Sequence, residues 1–115
     1  MIIASIQMYS TGDKERNLQT MEKYLEHINK TFPNIKMVVF PELAAHGSIS
    51  NMRKEAEIIP GELTSTFSNM ANKYNLWLIP GSIYEKSDNE IFNTAPVFSS
   101  SGDLLGKYRK RYPWR

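Results

Sequence analysis

The chain has the length and composition of one globular domain, with 115 residues of which 41% are apolar. Lys plus Arg exceed Asp plus Glu by only 14 to 12, without the long basic stripe of a nucleic-acid-binding protein, and no apolar run approaches the roughly 20 residues of a membrane-spanning helix. These features predict a cytoplasmic protein with no nucleic-acid or membrane partner. Because there are no cysteines and only two histidines, we expect no disulfide or metal site in these residues.

The first forty residues predict a strand, a helix and a second strand. Residues 2–8 alternate as a first strand, and a helix follows the break at residues 11–13, with Asp13 or a neighbour as its cap. Pro33 ends this helix, whose apolar face contains Leu18, Met21, Leu25, Ile28 and Phe32. Residues 36–40 form a short buried strand, and this order predicts a βαβ unit with parallel strands.

The second half predicts one more helix followed by three strands. Residues 43–59 have no regular period, and after Pro60-Gly61 a second helix ends near Asn75. Its apolar face contains Leu63, Phe67, Met70, Ala71 and Tyr74. The strands cover residues 76–84, interrupted by Pro80-Gly81, then 91–98 and 104–110, with polar turns at 87–89 and 101–103. We therefore expect a β-meander here, and no repeat or linker that would divide residues 1–115.

Two charged residues stand at the ends of predicted strands. Glu42 follows a buried strand at its carboxyl end, where ligands and catalytic groups gather in open α/β sheets. Lys110 ends the last strand, inside the basic run of residues 107–115. Position alone favours a solvated glutamate and a solvated basic edge over a catalytic role for either residue.

The order of several short motifs resembles the nitrilase superfamily of carbon–nitrogen hydrolases. The motifs are VVFPEL, PGE, GSIYE, NTA and GDLLGKYRK, and they extend over essentially the whole chain. The resemblance implies an α/β fold, the N-terminal half of a four-layer α-β-β-α sandwich, with residues 1–115 as a partial domain that stops before the nucleophile. It also implies that both helices cover one face of the sheet, and that the other face is exposed until a second sheet meets it.

The same resemblance implies a Glu-Lys-Cys triad. Glu42 corresponds to the general base and Lys110 to the lysine that stabilises the tetrahedral centre, while the cysteine that forms a thioester acyl-enzyme lies beyond this chain. The implied substrate is a small-molecule amide or nitrile, no cofactor is needed, and the full-length protein is expected to form homo-oligomers. YRK followed by Pro113-Trp114 is closest to the aliphatic amidase and formamidase branch, although Leu43 replaces the tyrosine common there.

Two further polar residues have two interpretations each, and a third has one. His46 can line the substrate entrance or be an exposed loop residue, and Glu85 can support Lys110 or be a solvated hairpin residue. We interpret Asn93 as a structural residue that fixes a strand or turn by hydrogen bonding. His46 and Glu85 are therefore the candidates for substrate binding.

The 115 residues alone are expected to be inactive, because no serine replaces the missing cysteine. The candidates Ser48, Ser50, Ser65 and Ser82 have no neighbouring base in the sequence. An alternative is a noncatalytic nitrilase-like module that serves binding or oligomer assembly. A third hypothesis is a domain whose basic residues 107–115 contact acidic lipids or RNA.

Overall fold

The computed structural model describes residues 1–47 and 52–112, which form a mixed α/β structure with helices on one face of a six-stranded sheet. The strands are β1 (Ile2–Ser5), β2 (Ile35–Val39), β3 (Trp77–Ile79), β4 (Ile83–Ser87), β5 (Glu90–Phe98) and β6 (Leu104–Arg109). The helices are α1 (Lys14–Thr31), α2 (Met52–Glu55) and α3 (Glu62–Tyr74). Ser48, Ser50 and the Pro113-Trp114 pair lie outside the described residues.

The two long helices form where their apolar period predicts them. Asp13 caps α1 by accepting a hydrogen bond from the backbone N–H of Arg16 at 3.2 Å, which satisfies a free donor of the first turn. Asn75 ends α3 in the left-handed conformation. The predicted apolar faces of both helices are buried, except that Phe32 is 49% exposed. Phe32 was assigned wrongly because it follows the last helical residue, as the C-cap.

Parallel pairing joins the first three strands, which confirms the predicted βαβ unit. β1 pairs with β2 and β2 with β3, and α1 connects the first pair. Val38, Leu78 and Phe98 are neighbours on one face of the sheet and are completely buried in the core with the helices. Residues 6–8 were expected to continue β1, but the strand ends at Ser5.

The remaining strands form an antiparallel meander around β5. The predicted strand over residues 76–84 is two strands, β3 and β4, because Gly81 turns the chain with a φ of +82°. Thr94 pairs with Ile83 of β4 and with Arg109 of β6, so these two strands lie on opposite edges of β5. Since β6 pairs with β5 alone among the described strands, it forms one edge of the sheet.

The face of the sheet that points away from the helices remains accessible, as the resemblance implied. Met37 and Trp77 are neighbours on this face, and so are Val39 and Ile79. All four side chains are only partly buried, and Ile3 of β1 beside them is exposed. Of the helices in the described part of the chain, none is long and apolar enough to cross a membrane.

Candidate active site

The sheet brings Glu42 and Lys110 into direct contact. The ammonium Nζ of Lys110 donates a hydrogen bond to Oε1 of Glu42 at 2.8 Å, although the residues are 68 positions apart in the sequence. Both side chains are partly open to solvent, with 41% of Lys110 and 53% of Glu42 exposed. The two residues that the resemblance selected thus form one ion pair in an open groove.

Backbone contacts between two chain segments place Glu42 at the end of β2. The N–H of Phe40 donates to the carbonyl of Ile79 at 2.9 Å, and the N–H of Leu43 donates to Oγ of Ser82 at 3.1 Å. Leu43 has a φ of +54°, a conformation that is uncommon for a residue with a side chain. Glu42 is therefore held on both sides against residues 79–82.

Gly81 allows the closest approach between these segments. A Cβ atom at this position would lie 1.9 Å from the carbonyl oxygen of Pro41, far inside any real contact distance. Its positive φ of +82° also favours glycine. Gly81 is thus required where the chain passes the residue that precedes Glu42.

The hairpin of β5 and β6 places Lys110 and adds a second donor. The backbone N–H of Lys110 donates to the carbonyl of Asn93 at 2.8 Å, and the Asn93 side-chain Nδ2 donates to Oε1 of Glu42 at 2.8 Å. The hydrogen bond of the Asn93 side chain goes to Glu42 after β2 rather than to a turn, and its interpretation as a structural residue stays a prediction. The feature of the sequence that could have indicated the contact with Glu42 is the position of Asn93 opposite Lys110 in the β5–β6 hairpin.

These contacts determine the charge state of Glu42. The hydrogen bond from Lys110 lowers the pKa of the Glu42 carboxyl, partial burial opposes this effect, and the charge of Lys110 and the Asn93 hydrogen bond lower the pKa further. Lys110 and Asn93 both donate to Oε1. Among residues 1–47 and 52–112, no donor contacts Oε2.

The groove has two connected parts. A hollow of about 360 Å³ is lined on the open face of the sheet by Ile79, Ala95 and Tyr108. A larger hollow of about 750 Å³ continues towards the β4–β5 turn. Both are lined by Glu42, Asn93 and Lys110, so a small molecule in either part reaches the ion pair.

Glu85 lies in a different place from the one expected. Its side chain is only 2% exposed, and it accepts hydrogen bonds from Lys107, from Arg109 at 2.9 and 3.2 Å, and from Thr94 at 2.8 Å. Strand register places it on the face of the sheet opposite Glu42. Glu85 is therefore neither solvated nor in contact with Lys110, and it does not line the groove.

His46 is buried rather than exposed. Only 1% of the residue is accessible, its ring packs against Tyr84 at a centroid distance of 5.3 Å, and Nε2 lies 3.4 Å from the Tyr84 backbone N–H. Burial lowers the pKa of the imidazole, so the neutral form is favoured. His46 lines neither hollow and has the contacts of a core residue.

Carboxylates pair with three of the cations at the end of the chain. Lys107 and Arg109 contact Glu85, and Lys110 contacts Glu42. The basic run is thus partly neutralised within the fold. No cluster of three or more metal-binding side chains occurs among the residues that the structure describes.

Comparisons with known proteins give one consistent result. The profile of the family described as Carbon-nitrogen hydrolase matches residues 2–115. The omega-amidase NIT3 of Saccharomyces cerevisiae is 38% identical over 109 residues, which are 88% of this chain and 37% of that protein. A formamidase of Bacillus cereus is 27% identical over 110 residues, which are 91% of this chain and 33% of that protein.

Solved structures share the fold. The crystal structure of Saccharomyces cerevisiae Nit3, a member of branch 10 of the nitrilase superfamily, has a TM-score of 0.86 at 33% identity, covering 96% of this chain and 44% of that one. A carbon–nitrogen hydrolase from Helicobacter pylori has a TM-score of 0.86 at 25% identity, covering 97% and 40%. The chain spans about two fifths of the length of its curated relatives.

Proposed function

The chain belongs to the carbon–nitrogen hydrolase family of the nitrilase superfamily, and from this membership we propose that the full-length protein hydrolyses small-molecule amides with Glu42 and Lys110 as catalytic residues. The contact between Glu42 and Lys110 at 2.8 Å in an open groove carries the proposal. A carboxylate and an ammonium at this distance supply a base and a positive charge for one reacting centre. No metal or organic cofactor takes part in this mechanism.

The proposed reaction is acyl transfer through a thioester. Oε2 of Glu42 takes the proton of a cysteine thiol, whose sulfur attacks the amide carbon, and Lys110 stabilises the negative charge that develops on the oxygen. Glu42 then gives the proton to the leaving amine, so the carbon–nitrogen bond breaks and a thioester remains. Glu42 next accepts a proton from a water molecule, whose oxygen attacks the thioester carbon. The carbon–sulfur bond then breaks, and Glu42 returns its proton to the sulfur, which releases the acid and restores the thiol and the Glu42 carboxylate.

The cysteine must come from outside these residues, because the 115-residue sequence contains none. We assign it to the part of the relatives' length that this chain does not span. In this proposal the described residues supply the base, the cation and one wall of the groove. The second wall comes from elements that cover the accessible face of the sheet, and cytoplasmic location and homo-oligomer formation stay predictions.

An amide is preferred to a nitrile as the substrate because of the kind of relatives found. The named enzymes include omega-amidases and formamidase, which act on amides. Two aliphatic residues and Tyr108 line the smaller hollow, which suits a short acyl group. The 115 residues by themselves are proposed to be inactive, since they lack the nucleophile.

The test is ammonia release by the full-length protein from a panel of short aliphatic amides and the matching nitriles. Glu42→Gln and Lys110→Met are each expected to reduce kcat by about 10³-fold or more, because each removes a group that acts in the transition state. Glu26→Gln and Lys30→Met are matched controls, since Lys30 forms an exposed 2.9 Å ion pair with Glu26 on α1. Both controls should retain full activity.

The outcomes separate the alternatives. Turnover of nitriles but not of amides would change the proposed substrate class from amides to nitriles, and the proposed roles of Glu42 and Lys110 would remain. A folded full-length protein that releases no ammonia from either class would refute the hydrolase proposal and support the noncatalytic module. Equal activity of Lys110→Met and Lys30→Met would refute the role of Lys110.

A further inference from the structure

An ion cluster around the buried carboxylate of Glu85 lies on the face of the sheet opposite the groove. We name it the Glu85 cluster, and it consists of Glu85 on β4, Thr94 on β5, and Lys107 and Arg109 on β6. Glu85 accepts hydrogen bonds from all three partners, and Arg109 binds both of its carboxylate oxygens. The cluster therefore connects β4 to β6 across β5, although those two strands are not paired with each other.

Stability alone is a weak explanation for such a cluster. Removing a carboxylate from water has a large cost, and well-packed apolar residues often give equal or greater stability at the same place. A buried ion pair has its best-attested use in specifying one register over its alternatives. Since Glu85 is only 2% exposed, its carboxylate needs cationic partners on the same face of β6.

The sequence of β6 does not by itself define which of its cations faces Glu42. Cations occur at Lys107, Arg109, Lys110 and Arg111, so both faces of the strand carry positive charge. A slip of one residue moves every side chain of a strand to the opposite face. Such a slip would still bring a cation towards Glu42, but an arginine instead of Lys110.

Backbone pairing and the turn between β5 and β6 also define this register, since the N–H of Ser99 donates to the carbonyl of Asp103 and the N–H of Gly102 donates to the carbonyl of Ser99, both at 2.9 Å. β6 is an edge strand that pairs only with β5 among the described strands, and its register with β5 is already irregular between Val97 and Phe98. The correct register places Lys107 and Arg109 at Glu85, and Lys110 at Glu42 on the other face. Glu85 therefore distinguishes this register from its neighbours.

We propose that Glu85 is a positioning residue of the hydrolase, which fixes the register of β6 through Lys107 and Arg109 and thereby presents Lys110 to Glu42. The effect on the reaction rests on the proposed function, whereas the effect on geometry does not. Burial raises the pKa of the Glu85 carboxyl, but the hydrogen bonds from Arg109, Lys107 and Thr94 outweigh it and lower the pKa to about 2. The carboxylate is thus charged at every pH at which the enzyme would act.

The experiment measures the titration of the Glu42 carboxyl by ¹³C NMR in the full-length protein, with Glu42→Gln used to assign the signal. Lys110 is the charged group that the structure places against Glu42, and its hydrogen bond holds the Glu42 pKa below the usual range. In Glu85→Gln this pKa should return towards the value of an ordinary glutamate. Glu22→Gln is the matched control, because Glu22 also joins two elements by binding Lys73 and Tyr74.

Kinetics provide the second readout. Glu85→Gln should reduce kcat per folded molecule by about 10²-fold with little change in KM, as expected for a displaced catalytic group. The acid limb of the kcat/KM profile should move to higher pH together with the pKa of Glu42. A purely structural role of Glu85 would lower the folded fraction but would leave both the pH profile and kcat per folded molecule unchanged.

A second variant covers the case in which Glu85→Gln does not fold. Lys107→Met leaves Glu85 bound to Arg109 and Thr94, and it should shift the Glu42 pKa in the same direction by a smaller amount. If Glu85→Gln folds, or if Lys107→Met is used in its place, an unchanged Glu42 pKa in that variant refutes the positioning role. If the wild-type protein releases no ammonia but Glu85→Gln still shifts the Glu42 titration, the proposed function fails and the positioning of Lys110 stands.

Discussion

The fold has no space for a methyl group at position 81, and the size of the clash indicates how far the backbone beside Glu42 must move. In Gly81→Ala the new Cβ would lie 1.9 Å from the carbonyl oxygen of Pro41, so the two backbones must separate by about 1.5 Å to reach ordinary contact. The left-handed conformation adds about 1–2 kcal/mol of strain for alanine. Because Pro41 precedes Glu42, this movement breaks the 2.8 Å hydrogen bonds from Asn93 and Lys110.

We expect Gly81→Ala to lose about 10²-fold in kcat on a short amide, since misplacing a catalytic group by about 1 Å has this effect. Its free energy of unfolding should fall by about 2–4 kcal/mol. Gly106→Ala is the matched control, because nothing lies within 4 Å of a Cβ atom at that position. Wild-type kcat and Tm for full-length Gly81→Ala, measured by ammonia release and circular dichroism, would refute the reasoning.

Three further results are expected in the full-length protein. Asn93→Ala should lower kcat about 10-fold and raise the Glu42 pKa, measured by NMR titration, because Glu42 loses one hydrogen-bond donor; an unchanged pKa would contradict the role of Asn93. The Glu85 pKa of about 2 lies below the reference of 4.5, so this carboxylate stabilises the fold by roughly 3 kcal/mol above pH 4.5, and this stability is lost as pH falls towards 2. Urea unfolding between these pH values should show a larger loss in wild type than in Glu85→Gln, in which only the other carboxylates with lowered pKa values, such as Glu22 and Glu42, still contribute. Phe67→Ala should cost about 3–5 kcal/mol by the same assay, because its ring is completely buried, and a loss below 1 kcal/mol would contradict the core assignment.

The sequence predicts those elements in which apolar residues recur at a regular spacing and form a buried face. Both long helices follow from apolar residues three and four positions apart, and the βαβ order gives the parallel pairing. The errors lie where the period is misleading. Phe32 continues the helical spacing one residue beyond the last helical residue, and apolar residues 76–79 and 83–84 lie on both sides of Gly81, which has a positive φ. α2 is four residues long with no buried face, so no pattern predicted it.

The site is less predictable from single positions, because its geometry depends on register. Glu42 and Lys110 were selected by resemblance, and position alone did not distinguish them from solvated residues. Asn93 and Glu85 become significant only when the hairpin register is known, although cations at Lys107 and Arg109 on one face of a strand indicate a buried acid opposite them. His46 lies in the turn after Glu42, in which Leu43 has a positive φ. A turn has no regular apolar spacing, so the sequence pattern did not predict that His46 is buried.

The contact between Glu42 and Lys110 has a kinetic consequence, because its partners are far apart in the chain. Closing a loop of 68 residues costs about 4 kcal/mol of chain entropy, whereas the 22 residues between Glu85 and Lys107 cost about 3 kcal/mol. Chain entropy therefore favours formation of the Glu85 cluster before the Glu42 contact during folding. Pulse-labelling hydrogen exchange should show protection of the β4–β6 meander before protection of the β2 exit. The β4–β6 meander would thus reach its correct strand alignment first, and the ion pair of Glu42 and Lys110 would form afterwards.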